Sequence, residues 1–138
     1  MAHRPLTEAE RAFVTSRRLG RVATVGLGGR PHVVPVMYAF ADGAFWFSSD
    51  PGDRKAADLR LDPRAALVID EPPPVKAGVT VSGPATVIED GDDFDLAQDH
   101  LAAAGAGGKR RRAPGEQIYV RLEPEDVASW KVEPAPEP

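Results

Sequence analysis

Arg54 and Lys55 stand side by side just after the turn Pro51-Gly52, in the stretch DPGDRKAADLRLDPR. Asp53 precedes them in helix-capping position, and Ser48 and Ser49 close the β-rich run before the turn. Two cations in the first turn of a helix work against its dipole, at a cost of a few tenths of a kcal/mol each when exposed. A phosphate offsets that cost, because guanidinium, ammonium, hydroxyl and free backbone N–H groups can all converge on it. The residues alone leave two readings open, an anion clamp or a solvated helix end. A second basic cluster, Lys109-Arg110-Arg111-Arg112, lies between glycines. It reads as a solvated loop, or as a site for an anionic substrate. Nucleic acid fits poorly, since no aromatics interleave with the cations and the net charge is −4.

Other residue types narrow the chemistry further. The chain has no cysteine, which excludes thiolate metal sites, disulfides and a cysteine nucleophile. His3, His32 and His100 are scattered, with no metal-ligand spacing. His32 reads as a surface residue or as a cap on a ring pocket. Asp90, Asp92, Asp93 and Asp95 lead into a helix and read as its capping group, since the later glutamate of a calcium loop is missing. No serine sits in a nucleophile elbow. No side chain is thus singled out as catalytic.

The elements that must position these residues follow from periodicity. Leu6 to Arg18 reads as a helix, with Thr7 and Glu10 in a capping-box pattern and Phe13 and Val14 inward. Arg21–Leu27, His32–Phe40 and Ala44–Ser49 read as a three-strand meander, turned by Gly28-Gly29 and Asp42-Gly43. After the short basic helix, Asp62-Pro63 stops the chain. Ala65–Asp70, Ala77–Asp90 and Gln117–Glu123 read as further strands, with a bulge or corner at Gly83-Pro84. A helix carries Phe94, Ala97 and Leu101 inward, and VASWKVE closes the chain as a short strand. The expected fold is mainly β: a small barrel of six to seven antiparallel strands with three short helices, in one domain over residues 1–138. Residues 1–5 and 133–138 are expected to be flexible. No apolar run reaches the ~18 residues of a membrane span and no signal segment is evident, so the expected location is cytoplasmic, with no membrane partner. The Ala, Arg, Gly, Pro and Val bias resembles the product of a GC-rich genome.

Several motifs, in order, resemble the pyridoxamine 5'-phosphate oxidase-like family of FMN- and F420-binding split β-barrels. They are Ser48-Ser49, Arg54-Lys55-Ala56, Leu59 and Asp62-Pro63-Arg64. RVATVGLGGRPHVVPVMY, GVTVSGPATVIED and VASWKVE add to them, so the resemblance spans roughly Thr7 to Trp130. It implies a homodimer with two cofactor sites at the subunit interface. It implies that Arg54 and Lys55 hold the cofactor phosphate, with Ser48 or Ser49 beside them. Val34, Pro35, Val36 and Met37 would run along the ring, and Trp130 would approach it from the partner chain. Pro35 suits such a strand because it needs no ladder hydrogen bond from its nitrogen. HVVPVM lacks the arginine that pyridoxamine oxidases carry there, which argues against pyridoxamine phosphate as substrate. The compact form implies an F420-dependent reductase of a small organic molecule. The alternatives are an FMN-binding oxidoreductase and a non-catalytic flavin or haem carrier.

Overall fold

A computed structural model describes residues 2–108 and 110–133. The elements run β1 (Ala2–His3), α1 (Glu8–Thr15), β2 (Leu19–Val25), β3 (Pro31–Ala41), β4 (Ala44–Ser49) and α2 (Arg54–Leu61). Then follow β5 (Arg64–Asp70), β6 (Gly78–Ile88), α3 (Asp92–Ala103), β7 (Ile118–Leu122) and β8 (Asp126–Trp130). All strand pairings among these elements are antiparallel. β2, β3, β4, β7, β6 and β5 close on one another as a six-stranded barrel, while β8 and then β1 extend from β6.

Two turns join the meander as the glycines require. Asp42 and Gly43 both take positive φ, 53° and 72°, which matches the twist of a two-residue hairpin. Gly28 and Gly29 also sit at positive φ, 73° and 77°, after the break at Gly26. The corner at Gly83-Pro84 is a change of partner. Residues 78–82 of β6 pair with β8, and residues 85–88 pair with β7. A side chain at Gly83 would collide with the carbonyl of Glu123, so only glycine allows the crossing.

The barrel is filled by the inward residues of every strand, among them Val22, Tyr38, Phe45, Phe47, Leu67, Val79, Val81, Val120 and Leu122. Val14 of α1 plugs this core, and the Tyr38 hydroxyl donates to its carbonyl at 2.6 Å. A second cluster lies outside the barrel wall. There α3 presses Phe94, Ala97 and Leu101 on Trp46, Ile88 and Tyr119.

The differences from expectation are local. The barrel is accompanied by two extra strands, so the described residues hold eight strands. Ala2–His3, expected to be flexible, pairs with Val127 and Asp126. The α1 capping box is present in full: Thr7 caps the Glu10 N–H and Glu10 receives the Thr7 N–H at 2.8 Å. Val14 is buried, but Phe13 is only partly so, lying under the Arg17 guanidinium 3.6 Å from the ring centre. The acidic run before α3 does not supply a side-chain cap. Gly91 is the N-cap, and Asp92, Asp93 and Asp95 lie in the first turn, where they complement the helix dipole. Residues 134–138 and Lys109 fall outside the described residues.

Candidate functional site: an open strand edge with a basic helix start

β3 is eleven residues long, and its two halves have different partners. Residues 31–37 pair with β2, while only residues 38–41 pair with β4. Beyond Tyr38↔Phe47, β4 leaves β3 and runs with β7 instead, through Ser48↔Tyr119 and Ser49↔Ile118. Among the described residues, no strand covers the other edge of residues 31–37. The orientation of that edge follows from one hydrogen bond. The Tyr38 N–H donates to the Arg18 carbonyl at 2.8 Å, on the β2 side. Main-chain groups alternate sides along a strand. Val34 and Val36 therefore turn their N–H and C=O groups toward β2, and Val33 and Met37 turn theirs to the open side. Pro31 and Pro35 share that parity and offer carbonyls alone.

This sorts the residues expected along a ring. Val36 is 7% exposed and belongs to the barrel core, with Val34 packed against it, so neither side chain faces outward. Met37 is exposed, as is Pro35. Val33 is 62% exposed and supplies the same edge groups as Met37, yet sequence reasoning passed over it. The signal was present: Val33 has the parity of Pro35, which must face an unpaired side.

The helix start lies at the beginning of this edge. Asp58, one turn into α2, is buried, and its Oδ2 accepts from the Thr24 hydroxyl at 2.7 Å. The same oxygen is 3.9 Å from Arg54 Nε and 4.0 Å from His32 Nδ1. The Asp58 carboxylate thus lies between Arg54 and the first residues of β3. Gly26 leaves the room, since a Cβ there would stand 2.9 Å from Asp58 Oδ1. Arg54 keeps about half of its side chain in solvent and has no closer carboxylate among the described residues. The buried Nδ1 of His32 has no hydrogen-bond partner among the described residues. His32 is therefore a half-buried member of the site rather than a surface residue.

Lys55 lies lower, with its side chain 13% exposed and its ammonium 2.9 Å from Asp53 Oδ2. That ammonium holds the Asp53 carboxyl below its ordinary range, with lesser help from the Asp50 N–H and the Ser49 hydroxyl. Asp53 is the N-cap by position, but its carboxylate makes no capping bond. Instead it joins the turn: the Ser49 hydroxyl lies 3.3 Å away and also donates to the Asp50 carbonyl at 3.0 Å. Lys55 retains two further N–H donors.

The remaining expected residues are not brought to this point. Ser48 alternates with Ser49 and faces the opposite side of β4, toward the loop around Arg110 to Arg112. Trp130 lies on β8, across the face of Gly78, whose missing side chain leaves space for the indole. Within one chain, β6, β5 and β2 stand between β8 and β3, so Trp130 is not at this edge.

The outward face of the sheet beside the open edge mixes apolar residues with the exposed Arg21–Asp70 ion pair, Arg21 lying opposite Pro35. Leu19 pairs with Met37 and Ala23 with Val33, and Leu19, Val33 and Met37 are all largely exposed. Trp130, 41% exposed, stands on the same outward face. The basic helix start, the adjacent unpaired strand edge and the His32 Nδ1 without a hydrogen-bond partner among the described residues lie next to one another.

A six-stranded antiparallel barrel with these short helices is a recognisable class. The chain matches the Pyridoxamine 5'-phosphate oxidase family over residues 6–131, and it belongs to that family. It is 27% identical to the 5a,11a-dehydrotetracycline/5a,11a-dehydrooxytetracycline reductase of Streptomyces rimosus subsp. rimosus, over 94% of this chain and 85% of that protein. The structure of an FAD-binding protein from Mesorhizobium loti superposes with a TM-score of 0.70, at 26% identity, over 94% of this chain and 97% of that one. An F420 reductase superposes with a TM-score of 0.70 at 17% identity, over 89% and 98% of the two chains, and so shares the fold.

Proposed function

We propose that the protein is an oxidoreductase that works with a flavin or deazaflavin, F420 in preference to FMN, and reduces a small organic molecule. The observation that carries this reading is the unpaired edge of β3 with the Arg54-Lys55 helix start at its head. Family membership, the Streptomyces reductase and the flavin-binding neighbour support the class of reaction. The F420 preference rests on the compact form that the sequence resembles, and on an F420 reductase sharing the fold.

Arg54 and Lys55 would hold the phosphate by charge-assisted bonds. The N–H and C=O groups of Val33 and Met37 would bond the polar rim of the ring, with Pro35 lying along it. His32 Nδ1, which has no hydrogen-bond partner among the described residues, would find one there. When bound, such a cofactor supplies the hydride chemistry, and the protein supplies position and exclusion of water. No side chain of the chain needs to act as acid or base, since solvent can return the proton.

A second copy of the chain completes the reading. Val33, Met37 and Leu19 on one side and Trp130 on the other are exposed apolar side chains that a homodimer would cover, bringing the partner's Trp130 toward the ring. A cytoplasmic location belongs to the same reading; no helix among the described residues is long and apolar enough to cross a membrane.

Titration of apo-protein with F420 and with FMN, followed by fluorescence, tests the cofactor. The reading expects saturable binding with F420 tighter, and turnover of an electrophilic substrate panel with reduced F420. Binding without turnover on any substrate would make the protein a carrier, and no binding of either cofactor would overturn the site.

A further inference from the structure

Ser48 opens onto a cavity of about 190 Å³ on the α3 side of β4, separated from the α2 clamp by the strand itself. Gln98 and Leu101 of α3 form one wall, Gln117 and Tyr119 another, and the loop carries Arg110, Arg111 and Arg112 over it. The described lining contains no Asp or Glu.

The loop is built, not loose. Gln98 is buried and grips the main chain of Arg112 at both ends of its amide. Its Oε1 accepts the Arg112 N–H at 2.7 Å, and its Nε2 donates to the Arg112 carbonyl at 3.1 Å. Arg110 leans on Glu116 at 3.0 Å and Arg111 on Asp99 at 2.8 Å. Those carboxylates sit at the exposed rim. Arg112 lines the cavity and has no ion pair among the described residues, while its charge also helps Arg110 hold the Glu116 carboxyl below its ordinary range. The charge reaches inward: burial raises the pKa of the Tyr119 hydroxyl, while Arg111 and Arg112 pull it the other way. A merely solvated charge run has no need of a buried amide clamp or of a concave pocket beneath it.

Size sets the ligand. A dry cavity of about 150 Å³ accommodates benzene. One somewhat larger, with a basic roof and a hydroxyl and amides in its walls, suits a single ring bearing one acidic group. We propose that this cavity binds a small organic anion, a ring-sized phosphomonoester or carboxylate, as a site separate from the cofactor clamp. Arg112 reads the charge, Gln98 holds Arg112 in place, and Ser48 and Gln117 supply neutral donors. The site stands whether or not a flavin occupies the β3 edge.

The test is titration of ¹⁵N-labelled protein with phenyl phosphate and, separately, benzoate. Saturable shifts are expected at the Gly107 and Gly108 amides and the Gln98 side chain, with the amides of Arg54 and Lys55 undisturbed. Arg112→Gln should weaken binding about tenfold or more through loss of a charge-assisted contact. It should still fold, because Gln98 grips main chain. Lys55→Ala should leave this binding unchanged, so failure here and failure of the cofactor reading are distinguishable. The two probes decide between phosphate and carboxylate heads. Shifts that do not saturate, shifts centred on α2, or wild-type affinity in Arg112→Gln would overturn the proposal.

Discussion

Replacing Lys55 with alanine should separate recognition of the phosphate from recognition of the ring. In the free protein the ammonium pairs with Asp53 at 2.9 Å, but Asp53 is 42% exposed and regains water when the pair is broken. The stability cost is therefore small, under about 1 kcal/mol. A charge-assisted contact to a bound phosphate is worth about 1.5–3 kcal/mol. At about 1.4 kcal/mol per decade, FMN should bind about tenfold to a hundredfold more weakly. Riboflavin is the internal control, since it carries the same ring without the phosphate, and its affinity should not move. Flavin fluorescence quenching measures both dissociation constants. Raising the salt should weaken FMN further through Arg54, which is half exposed and thus screened. Equal losses for FMN and riboflavin would show that Lys55 shapes the ring site. An unchanged FMN affinity would remove Lys55 from the site altogether.

Other perturbations address the frame and the dimer. The Glu10 carboxyl is buried and held at about 2, against an ordinary 4.5, first by the Arg4 guanidinium. Because its folded value is depressed, its contribution is whole above the ordinary value and is lost as pH falls toward about 2; that contribution is about 3 kcal/mol at most, and nearer 1–2 once solvent around Arg4 is counted. Denaturation midpoints near neutral pH and near pH 2.5 should differ less for Glu10→Gln than for wild type. An equal pH loss in both would contradict this. Tyr38→Phe removes the hydroxyl that satisfies the Val14 carbonyl and should cost about 1–2 kcal/mol in chemical denaturation; a neutral result would mean that water replaces it. Val33→Glu with Met37→Glu places charge beside the open edge and should turn a dimer into a monomer by light scattering, and a monomeric wild type at micromolar concentration would dispose of the homodimer.

The sequence carried much of this fold because its signals were local. Thr7 with Glu10, Asp42-Gly43 and Asp62-Pro63 each act over a few residues, and each does in the structure what its chemistry requires. Gly83-Pro84 marked an irregularity, but which strand replaced which at that corner depended on β7 and β8, far along the chain. The site was legible to the same degree. The Arg-Lys pair and the proline in β3 were visible as types. The buried Asp58, which ties Thr24, His32 and Arg54 together, was not, because an aspartate on a short polar helix looks solvated until the β2–β3 turn is packed over it. Ser48 and Ser49 looked like one hydroxyl pair. Strand alternation sends them to opposite faces, a consequence of period two that a motif read as a unit conceals.

The bare edge of β3 is also a hazard. Seven residues of uncovered strand, with Val33 and Met37 exposed among them, form a template onto which a stray strand could dock. Pro31 and Pro35 blunt it by deleting two of the donors that an intruding strand would need. What remains is a ladder with gaps, unsuited to polypeptide but open to a flat ring whose hydrogen bonds are few and unevenly spaced. Under the proposed function a bound ring would also shield this edge from other copies, so chain made faster than its cofactor is expected to aggregate more readily.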